Sequence, residues 1–466
     1  MPRDEAAPGA RGPRGGRIEL IPEGTVDVVV AGGGIAGVSV AAALGDLGYD
    51  VLVVEPGLDG AKRLAGELIH PPGVADLAEL GLLRTLEETG VAAVHGFAVI
   101  PAPSEPPAIL PYGEIPGLTR HGFAMDHAAL NAALGRAVER LPRVTVWRGS
   151  RVTDLDLDHA DFAEATVTNP MGEVRLRARL VVGADGSPST IRKLAGIGHE
   201  KIRISNMVGY LVRGTRLPCP DYGNVFLGGP APALAYAIGR DMVRVMFDVP
   251  ENPHGVDAPW RDTEYLDALP DPFRTAVAAT MTTEPRLVSA NYSLSPQSVF
   301  RGRLALVGDA AGCCHPLTAT GLSVCTRDAI RLRQALRDTR GDVPAALARY
   351  AALRSGPQRT RMALAEALYA AFSGRTPEMR LLRRGILRYW TYGRRGRAAS
   401  LALLSTHEGR MSRMATQYAH VVGHTLTGLI RRRSEAESVA LPSRRRALLG
   451  LSRTTLRYFR EALTIW

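Results

Sequence analysis

The stretch TVDVVVAGGGIAGVSVAAALGDLGYDVLVVE, residues 25–55, decides the fold of this chain. It opens with β-branched residues, TVDVVVA, which are typical of a strand buried on both faces of a sheet. A glycine turn, GGGIAG, follows at once, and the small residues of VSVAAALGDLGY predict a closely packed helix. DVLVVE supplies a second buried strand. The order strand, helix, strand predicts a parallel sheet of the Rossmann type.

Three glycines of this unit, Gly32, Gly34 and Gly37, form the pattern G-x-G-x-x-G between a strand and a helix, as a dinucleotide site requires. The first permits the tight turn, the second lets the backbone approach a pyrophosphate, and the third lets helix and strand pack closely. Glu55 ends the next strand 18 residues after Gly37, where it can accept hydrogen bonds from a ribose. An acid there favours FAD or NAD over a 2′-phosphorylated nucleotide.

Two later segments separate FAD from NAD. RLVVGADGSPSTIRK (179–193) runs from a strand into Asp185, and GRLALVGDAAG (302–312) runs from a strand into Gly308 and Asp309. An aspartate at such a strand end can accept a hydrogen bond from a ribitol hydroxyl, while neighbouring backbone N–H groups meet a diphosphate. Because an extended FAD needs both segments and NAD needs neither, the sequence predicts FAD.

The rest of the chain divides into parts with different patterns. The glycine turn and the two later segments predict a discontinuous FAD-binding domain over residues 25–205 and 296–350. Residues 206–295 alternate apolar and polar side chains, as a half-exposed antiparallel sheet does, and strands from about 92–115 are expected to join this substrate domain. Residues 351–466 predict a helical module. The fold class is therefore α/β: a Rossmann-like FAD-binding domain with an inserted antiparallel sheet and a C-terminal helical module.

Composition narrows the class of protein. With 45% hydrophobic and 22% charged residues, the chain is ordinary for a globular protein. It contains no run of about 18 apolar residues, so we expect no membrane-spanning helix. Residues 1–24 lack the apolar centre of a secretory signal and predict a disordered leader. Four cysteines in 466 residues are no disulfide framework and fit a reducing, cytoplasmic compartment.

The net charge of +11 is unevenly distributed. The segment from Arg354 to Trp466 has 22 arginines, six glutamates and no lysine or aspartate, a net charge of +16, while the other 353 residues carry −5. Such a segment suits lipid headgroups, nucleic acid or simply a solvated helical face. Its arginines lie among leucine, tyrosine and tryptophan, as in GILRYWTYGRRGR, which favours helices in a membrane interface over a nucleic-acid reader. We therefore expect peripheral contact with an anionic membrane and no nucleic-acid partner.

GDAAGCCHPLTATGLS, residues 308–323, places an acid, two cysteines, a histidine and a proline in a short apolar stretch. His315 has no second histidine or acid at a metal-ligand spacing, so no metal site is expected. The adjacent Cys313 and Cys314 would form a strained disulfide and are interpreted as small core residues. The remaining interpretation is the wall of a cofactor pocket.

Several segments together resemble one enzyme family. RLAGELIHPPG (63–73) is similar to that family's Arg-φ-x-Gly-Glu-Leu segment, where φ is apolar, and HPLTATGLSV (315–324) is similar to its His-Pro-Leu-Thr segment. EALYAAFSGRTPEMRLLRRG and SLALLS resemble its C-terminal helical region. Over roughly residues 26–435 the chain resembles the squalene epoxidases (squalene monooxygenases), FAD-dependent monooxygenases with the para-hydroxybenzoate hydroxylase fold.

The resemblance implies which residues meet FAD. The turn from Pro316 to Gly321 would lie against the isoalloxazine, with the N-terminus of the following helix directed at N1 and O2 of the ring. Pocket candidates near the flavin are Phe97, Pro316 and Thr320. The full set of cofactor-binding candidates is Gly32, Gly34, Ile35, Ala36, Gly37, Glu55, Arg63, His127, Val152, Asp185, Gly308, Asp309, Gly321 and Leu322.

This sequence departs from the family pattern around the flavin. The family has an arginine where this chain has His127, and Arg120 and Arg136 are alternative candidates for that arginine's role. Phe97 stands where the family has a tyrosine, which removes a hydroxyl from the pocket. Further replacements are Cys314 for a basic residue and Ala319 and Thr320 for glycines.

The function implied by the resemblance is epoxidation of a carbon–carbon double bond in a lipophilic isoprenoid, squalene-like or prenylated, with O2 and through a C4a-hydroperoxyflavin. The flavin supplies the chemistry, so no protein nucleophile or acid–base dyad is needed. Electrons would come from NAD(P)H, directly or through a separate flavin reductase. Two other enzyme classes use the same cofactor: a hydroxylase of a lipophilic aromatic substrate, and a reductase of isoprenoid double bonds that inserts no oxygen.

Overall fold

The computed structural model describes residues 24–57, 64–118, 121–250 and 262–431. The strands in these ranges are β1 (Thr25–Ala31), β2 (Val51–Glu55), β3 (Leu68–Ile69), β4 (Ala92–Val94), β5 (Gly96–Ile100), β6 (Ala108–Pro111), β7 (Gly122–Ala124), β8 (Val144–Arg148), β9 (Arg151–Asp156), β10 (Ala163–Asn169), β11 (Gly172–Gly183), β12 (His199–Arg213), β13 (Gly223–Phe226), β14 (Ala233–Ala237), β15 (Met242–Pro250), β16 (Leu287–Pro296), β17 (Phe300–Arg301) and β18 (Leu304–Leu306). The helices are α1 (Ile35–Asp46), α2 (Pro71–Glu79), α3 (Leu83–Thr89), α4 (His127–Val138), α5 (Thr190–Leu194), α6 (Asp262–Leu266), α7 (Phe273–Thr283), α8 (Gly321–Asp338), α9 (Val343–Ser373), α10 (Pro377–Tyr392), α11 (Arg394–Leu404) and α12 (Met411–Arg431).

The first sheet is built on the predicted strand, helix, strand unit. Its order is β17-β18-β11-β1-β2-β8, with β10 and β9 attached beyond β11. β1 runs parallel to both β2 and β11, so that Val30 pairs with Val53 on one side and Val182 on the other. Helices α1 and α8 cover one face and share its core, and a second apolar cluster fills the other face. The α/β class with a Rossmann-like sheet is confirmed.

The second sheet has the order β16-β12-β15-β14-β13-β5-β6 and is antiparallel except where β13 runs beside β5. β5 and β6 come from the 92–115 segment, as expected. The sheet begins earlier than the predicted boundary at 206, because β12 starts at His199. β4 pairs with β7 in a separate three-stranded sheet.

Helix α9 packs against both sheets. The beginning of α9, including Tyr350, is buried in the core beside α1 and α8, while Leu368 and Phe372 belong to the apolar cluster under the second sheet. The predicted boundary at 350/351 therefore falls inside one helix. None of the helices in the described ranges is long and apolar enough to span a membrane. The leader, 1–24, lies outside the described residues except for Gly24, and so does the C-terminal segment from residue 432.

Candidate active site

The glycine turn has the close contacts that its sequence pattern requires. Gly32 has a φ of +110°, and a Cβ there would lie 2.5 Å from the Ala184 carbonyl oxygen. A Cβ on Gly37 would lie 1.8 Å from the Gly32 carbonyl oxygen, so only glycine fits. At Gly34, by contrast, no described atom lies within 4 Å of a Cβ, and this N-cap residue has no side chain that could cap α1. The N-terminus of α1, with Ile35 and Ala36, is thus open for an anion.

Glu55 lies at the carboxyl end of β2, beside this turn. Its carboxylate accepts hydrogen bonds from the Gly33 N–H at 2.5 Å and from the Gly57 N–H at 2.7 Å. The side chain is half-buried and held against the glycine turn. Because the strand ends of a parallel sheet share one edge, Glu55 and the turn meet at the edge where α/β folds bind their ligands.

Asp185 follows β11 at the same edge, where its carboxylate shapes the next turn. One oxygen accepts from the Ser189 hydroxyl at 2.6 Å, and the other from the Ile191 N–H at 3.1 Å. Arg192, which sequence analysis did not single out, is buried and donates to the carbonyl oxygens of Ala310 at 3.0 Å and Ser187 at 2.8 Å. This buried arginine therefore ties the 179–193 and 302–312 segments together.

Gly308 and Asp309 begin a short 3₁₀ turn after β18. Gly308 has a φ of +57°, and its N–H donates to the Asp328 carboxylate at 3.0 Å. Arg354 of α9 holds that carboxylate at 2.9 Å, and both side chains are buried. Asp309 itself is half-buried in the turn. The Asp328–Arg354 pair thus supports the predicted cofactor segment from behind, a role with no signal in the local sequence.

Residues 315–320 connect this turn to α8, and we call them the flavin loop because Pro316 to Gly321 are predicted to lie against the flavin ring. Pro316–Thr318 form a 3₁₀ turn, and the Leu317 N–H donates to Nδ1 of His315 at 3.2 Å. Ala319 has a φ of +51°, a left-handed conformation that costs an L-residue roughly 1–2 kcal/mol relative to glycine. Gly321 then opens α8 with no described atom within 4 Å of a Cβ. The loop thus leaves the N-terminus of α8 facing open space.

A histidine and a tyrosine that sequence analysis did not single out hold the flavin loop. Nε2 of His70 donates to the Thr318 carbonyl oxygen at 2.8 Å, so Nδ1 accepts from the Tyr112 hydroxyl at 2.6 Å. Burial lowers the pKa of His70 to about 4, so the ring is neutral. The Phe97 ring lies 5.8 Å from the His70 ring, centroid to centroid. Although Phe97 lacks a hydroxyl, Tyr112 provides one close by.

Glu67 joins the 63–73 segment to the second sheet. Its carboxylate forms a bidentate pair with Arg244 of β15, at 2.7 Å to Nη2 and 2.9 Å to Nε. The two side chains are 1% and 4% exposed. Burial raises the pKa of Glu67, while the hydrogen bonds and charge of Arg244 oppose that rise. Sequence resemblance marked the glutamate, but nothing marked its partner 177 residues later.

The remaining predicted site residues occupy different environments. His127 uses both ring nitrogens within the protein, for the Gly66 carbonyl oxygen at 2.8 Å and the Asn131 amide at 2.9 Å. Arg136 is exposed nine residues along the same helix, about 13 Å away at 1.5 Å per residue. Val152, a residue of β9, is buried in the apolar core of the first sheet. Leu322 packs beside Gly66, whereas Arg63 and Arg120 lie outside the described residues.

An apolar groove lies between α9, α10, α11 and α12. It encloses about 600 Å³ of space between protein atoms, part of which is open solvent, so it is an open groove rather than a closed cavity. The buried Trp390 indole N–H, on its wall, has no hydrogen-bond partner among the described residues. Leu368, Leu382 and Trp390 of the groove belong to the same buried cluster as Phe97 and Leu317, which are near the predicted flavin position. Packed apolar side chains thus lie between the groove and the flavin loop.

The two adjacent cysteines are half-buried free thiols. Burial raises the pKa of Cys313 to about 12, which keeps its thiol protonated and unreactive at neutral pH. No cluster of histidine, cysteine, aspartate and glutamate that could hold a metal ion occurs within the described ranges. Cys313 and Cys314 are therefore interpreted as small packing residues beside the flavin loop.

The glycine turn, the two aspartate-containing segments and the antiparallel second sheet define a protein of the FAD-dependent monooxygenase class. A family model described as squalene epoxidase matches residues 177–441. The chain is 30% identical to squalene epoxidase erg1 of Aspergillus fumigatus over 79% of each chain. It is 29% identical to squalene monooxygenase of Mus musculus over 82% of this chain and 68% of the relative. The chain belongs to the squalene epoxidase family.

Solved structures share the fold at lower identity. The p-nitrophenol 4-monooxygenase of Pseudomonas putida superposes with a TM-score of 0.70 and 21% identity, covering 83% of this chain and 99% of that one. This likeness shows the fold.

Proposed function

We propose that this enzyme epoxidises a carbon–carbon double bond of a long, apolar isoprenoid such as squalene or a prenylated core. One atom of O2 enters the alkene, the other leaves as water, and NAD(P)H supplies two electrons, directly or through a separate flavin reductase. When bound, FAD supplies the oxygen activation, so the protein has to bind, orient and exclude water.

The described residues fit FAD at the edge of the first sheet. The open N-terminus of α1 suits the diphosphate, and Glu55 lies where a ribose would be bound. Asp309 would meet the ribitol or the diphosphate, whereas the Gly308 N–H is already bound by the Asp328 carboxylate. The N-terminus of α8 at Gly321, whose first turn has no side-chain cap, would stabilise negative charge on a reduced flavin ring.

The observation that carries the choice of substrate is the apolar groove. Its walls are mainly aliphatic and aromatic side chains, and Leu368 of the wall belongs to the same buried apolar cluster as Leu317 of the flavin loop. In this proposal the tail of a flexible polyene lies in the groove while one of its double bonds lies at the flavin.

The test is aerobic turnover with ¹⁸O2, NADPH, a flavin reductase and either squalene or a farnesylated aromatic compound, followed by mass analysis. The expected product has one labelled oxygen and one double bond fewer. Label on an aromatic ring would assign the enzyme to the hydroxylases, and a product two hydrogens heavier without oxygen would assign it to the reductases.

Filling the groove tests the substrate site separately. Leu368→Trp should raise the KM for squalene several-fold and leave a short C10 alkene nearly unaffected, because only the long chain reaches the groove. Leu426→Trp is the matched control, since Leu426 is 42% exposed on α12 and does not line the groove. Equal effects of the two variants would refute this location.

We also propose that the C-terminal helices contact an anionic membrane peripherally, from which the substrate is collected. Tyr392 of α10 is 75% exposed, and the Arg388 guanidinium lies 5.5 Å from its ring centroid. Tyrosine and arginine together suit the headgroup region of a bilayer. The sequence 441–466, for which the same role is predicted, lies outside the described residues.

A further inference from the structure

A buried polar cluster lies where the second sheet, the flavin loop and α9 meet. Its centre is Asp248 of β15, whose side chain has no solvent exposure. We call it the Asp248 cluster, and its other members are Ser205 of β12, Asn291 of β16, His315 of the flavin loop and Tyr369 of α9. The proposed binding of FAD and substrate uses none of these side chains directly.

The Asp248 carboxylate accepts hydrogen bonds from four protein side chains. Oδ1 accepts from Nε2 of His315 at 3.0 Å, from the Asn291 amide at 3.2 Å and from the Ser205 hydroxyl. Oδ2 accepts from the Tyr369 hydroxyl at 2.8 Å. An ionised carboxylate offers about four acceptor positions, so this buried charge is fully compensated by protein donors.

These contacts fix His315 in one tautomer. Because the Leu317 N–H donates to Nδ1, that nitrogen has no proton, and the proton on Nε2 points to Asp248. The Tyr369 ring lies against the imidazole with a centroid distance of 4.2 Å. Both ring nitrogens and one ring face of His315 are therefore held, two of these three contacts by residues outside the loop.

The position of the flavin loop follows from this histidine. His315 caps the 3₁₀ turn that contains Leu317. Ala319 and Thr320 follow the turn, and α8 then begins at Gly321. We propose that Asp248 is a positioning residue, which holds His315 in the tautomer and orientation that cap the flavin loop and so sets where α8 presents its N-terminus. The contacts of Asp248 and His315 support this role in the loop, whereas an effect of Asp248 on turnover rests on the proposed function.

Hydrogen exchange measured by mass spectrometry on the full-length protein without added cofactor tests the structural part. In Asp248→Asn, a peptide covering the flavin loop should exchange about tenfold faster, the change expected when roughly 1.4 kcal/mol of local protection is lost. Tyr265→Phe is the matched control, because the Tyr265 hydroxyl donates to the backbone oxygen of Asp248 at 2.8 Å and not to its carboxylate. It should change loop exchange by less than about twofold.

Two outcomes overturn the proposal: unchanged loop exchange in Asp248→Asn, or equal acceleration in Asp248→Asn and Tyr265→Phe. If Asp248→Asn does not fold, Tyr369→Phe removes only the donor to Oδ2 and should still accelerate exchange of the same peptide more than Tyr265→Phe does. In the oxygenation assay, Asp248→Asn should lower kcat with an unchanged KM for the polyene, and a rise in KM alone would refute the positioning role. If the wild-type protein oxygenates no polyene, the proposed function fails while the exchange result still decides the role of Asp248 in the loop.

Discussion

Arg244→Met should destabilise the protein strongly, because it leaves the Glu67 charge buried without its cationic partner. The pair is bidentate and its side chains are at most 4% exposed, and removing one partner of such a pair costs about 3–5 kcal/mol. At roughly 2–4 °C per kcal/mol for a large domain, the melting temperature should fall by about 6–20 °C. Calorimetry of the purified variant at pH 8 measures this change.

The pH dependence identifies the cause. Burial raises the folded-state pKa of Glu67, and Arg244→Met removes the interaction that opposes this rise. A carboxyl group whose pKa is higher in the folded than in the unfolded state destabilises the folded state when it is ionised. The loss of unfolding free energy therefore grows as pH rises from the unfolded-state pKa to the folded-state pKa. The deficit of Arg244→Met relative to Glu67→Gln/Arg244→Met should therefore shrink on acidification toward pH 5.

Arg143→Met provides the control for loss of an arginine. Arg143 contacts Asp50 at 2.9 Å, but the two side chains are 50% and 66% exposed, and such a surface pair contributes only about 0–1 kcal/mol. Equal melting temperatures for Arg244→Met and the double variant at pH 8, or a deficit that grows on acidification, would refute the reasoning.

Three further predictions concern the cofactor and the membrane. Gly37→Ala should abolish FAD binding, seen as loss of flavin absorbance, because a Cβ would lie 1.8 Å from a carbonyl oxygen, whereas Gly113→Ala, with open space at its Cβ, should bind normally. Asp309→Ala should weaken FAD binding by about 1–3 kcal/mol, measured by fluorescence titration; an unchanged affinity would contradict its assignment. The protein should sediment with anionic vesicles at low salt and be released at high salt, and Tyr392→Ser should weaken that binding. Equal sedimentation with neutral vesicles would contradict the interfacial contact.

The local sequence pattern was sufficient to predict the strands around the glycine turn in the first sheet. The apolar runs around Val30 and Val53 predict strands buried on both faces, and the glycine turn can be read from sequence because its close contacts involve neighbouring segments. The second sheet begins at His199, before the predicted boundary at 206. The first five residues of β12 are exposed, so no buried face marks the beginning of this strand. β4 joins another sheet because the chain changes direction at Gly96, whose φ is +152°.

The supporting contacts of the site could not be predicted, because each joins residues far apart in the chain. Glu67 and His70 lie in a segment that the family resemblance marked, yet Arg244 is 177 residues from Glu67 and the Thr318 carbonyl is 248 residues from His70. Asp248 sits in a strand whose pattern gives no hint of a polar interior. Such partners are set by how the second sheet docks on the first.

Helix α9 has a consequence for exchanging parts between relatives. Its first half packs into the core of the first sheet and carries Arg354 to the support of Gly308, while its second half carries Tyr369 to Asp248. A chimera joined at residue 350 would take the two parts of one helix from two parents, and it would place Arg354 and Tyr369 in a different parent from their partners Asp328 and Asp248. A junction at Gly374, where the helix ends with a φ of +57°, would transplant α10 to α12 as a unit and leave both sets of contacts with one parent.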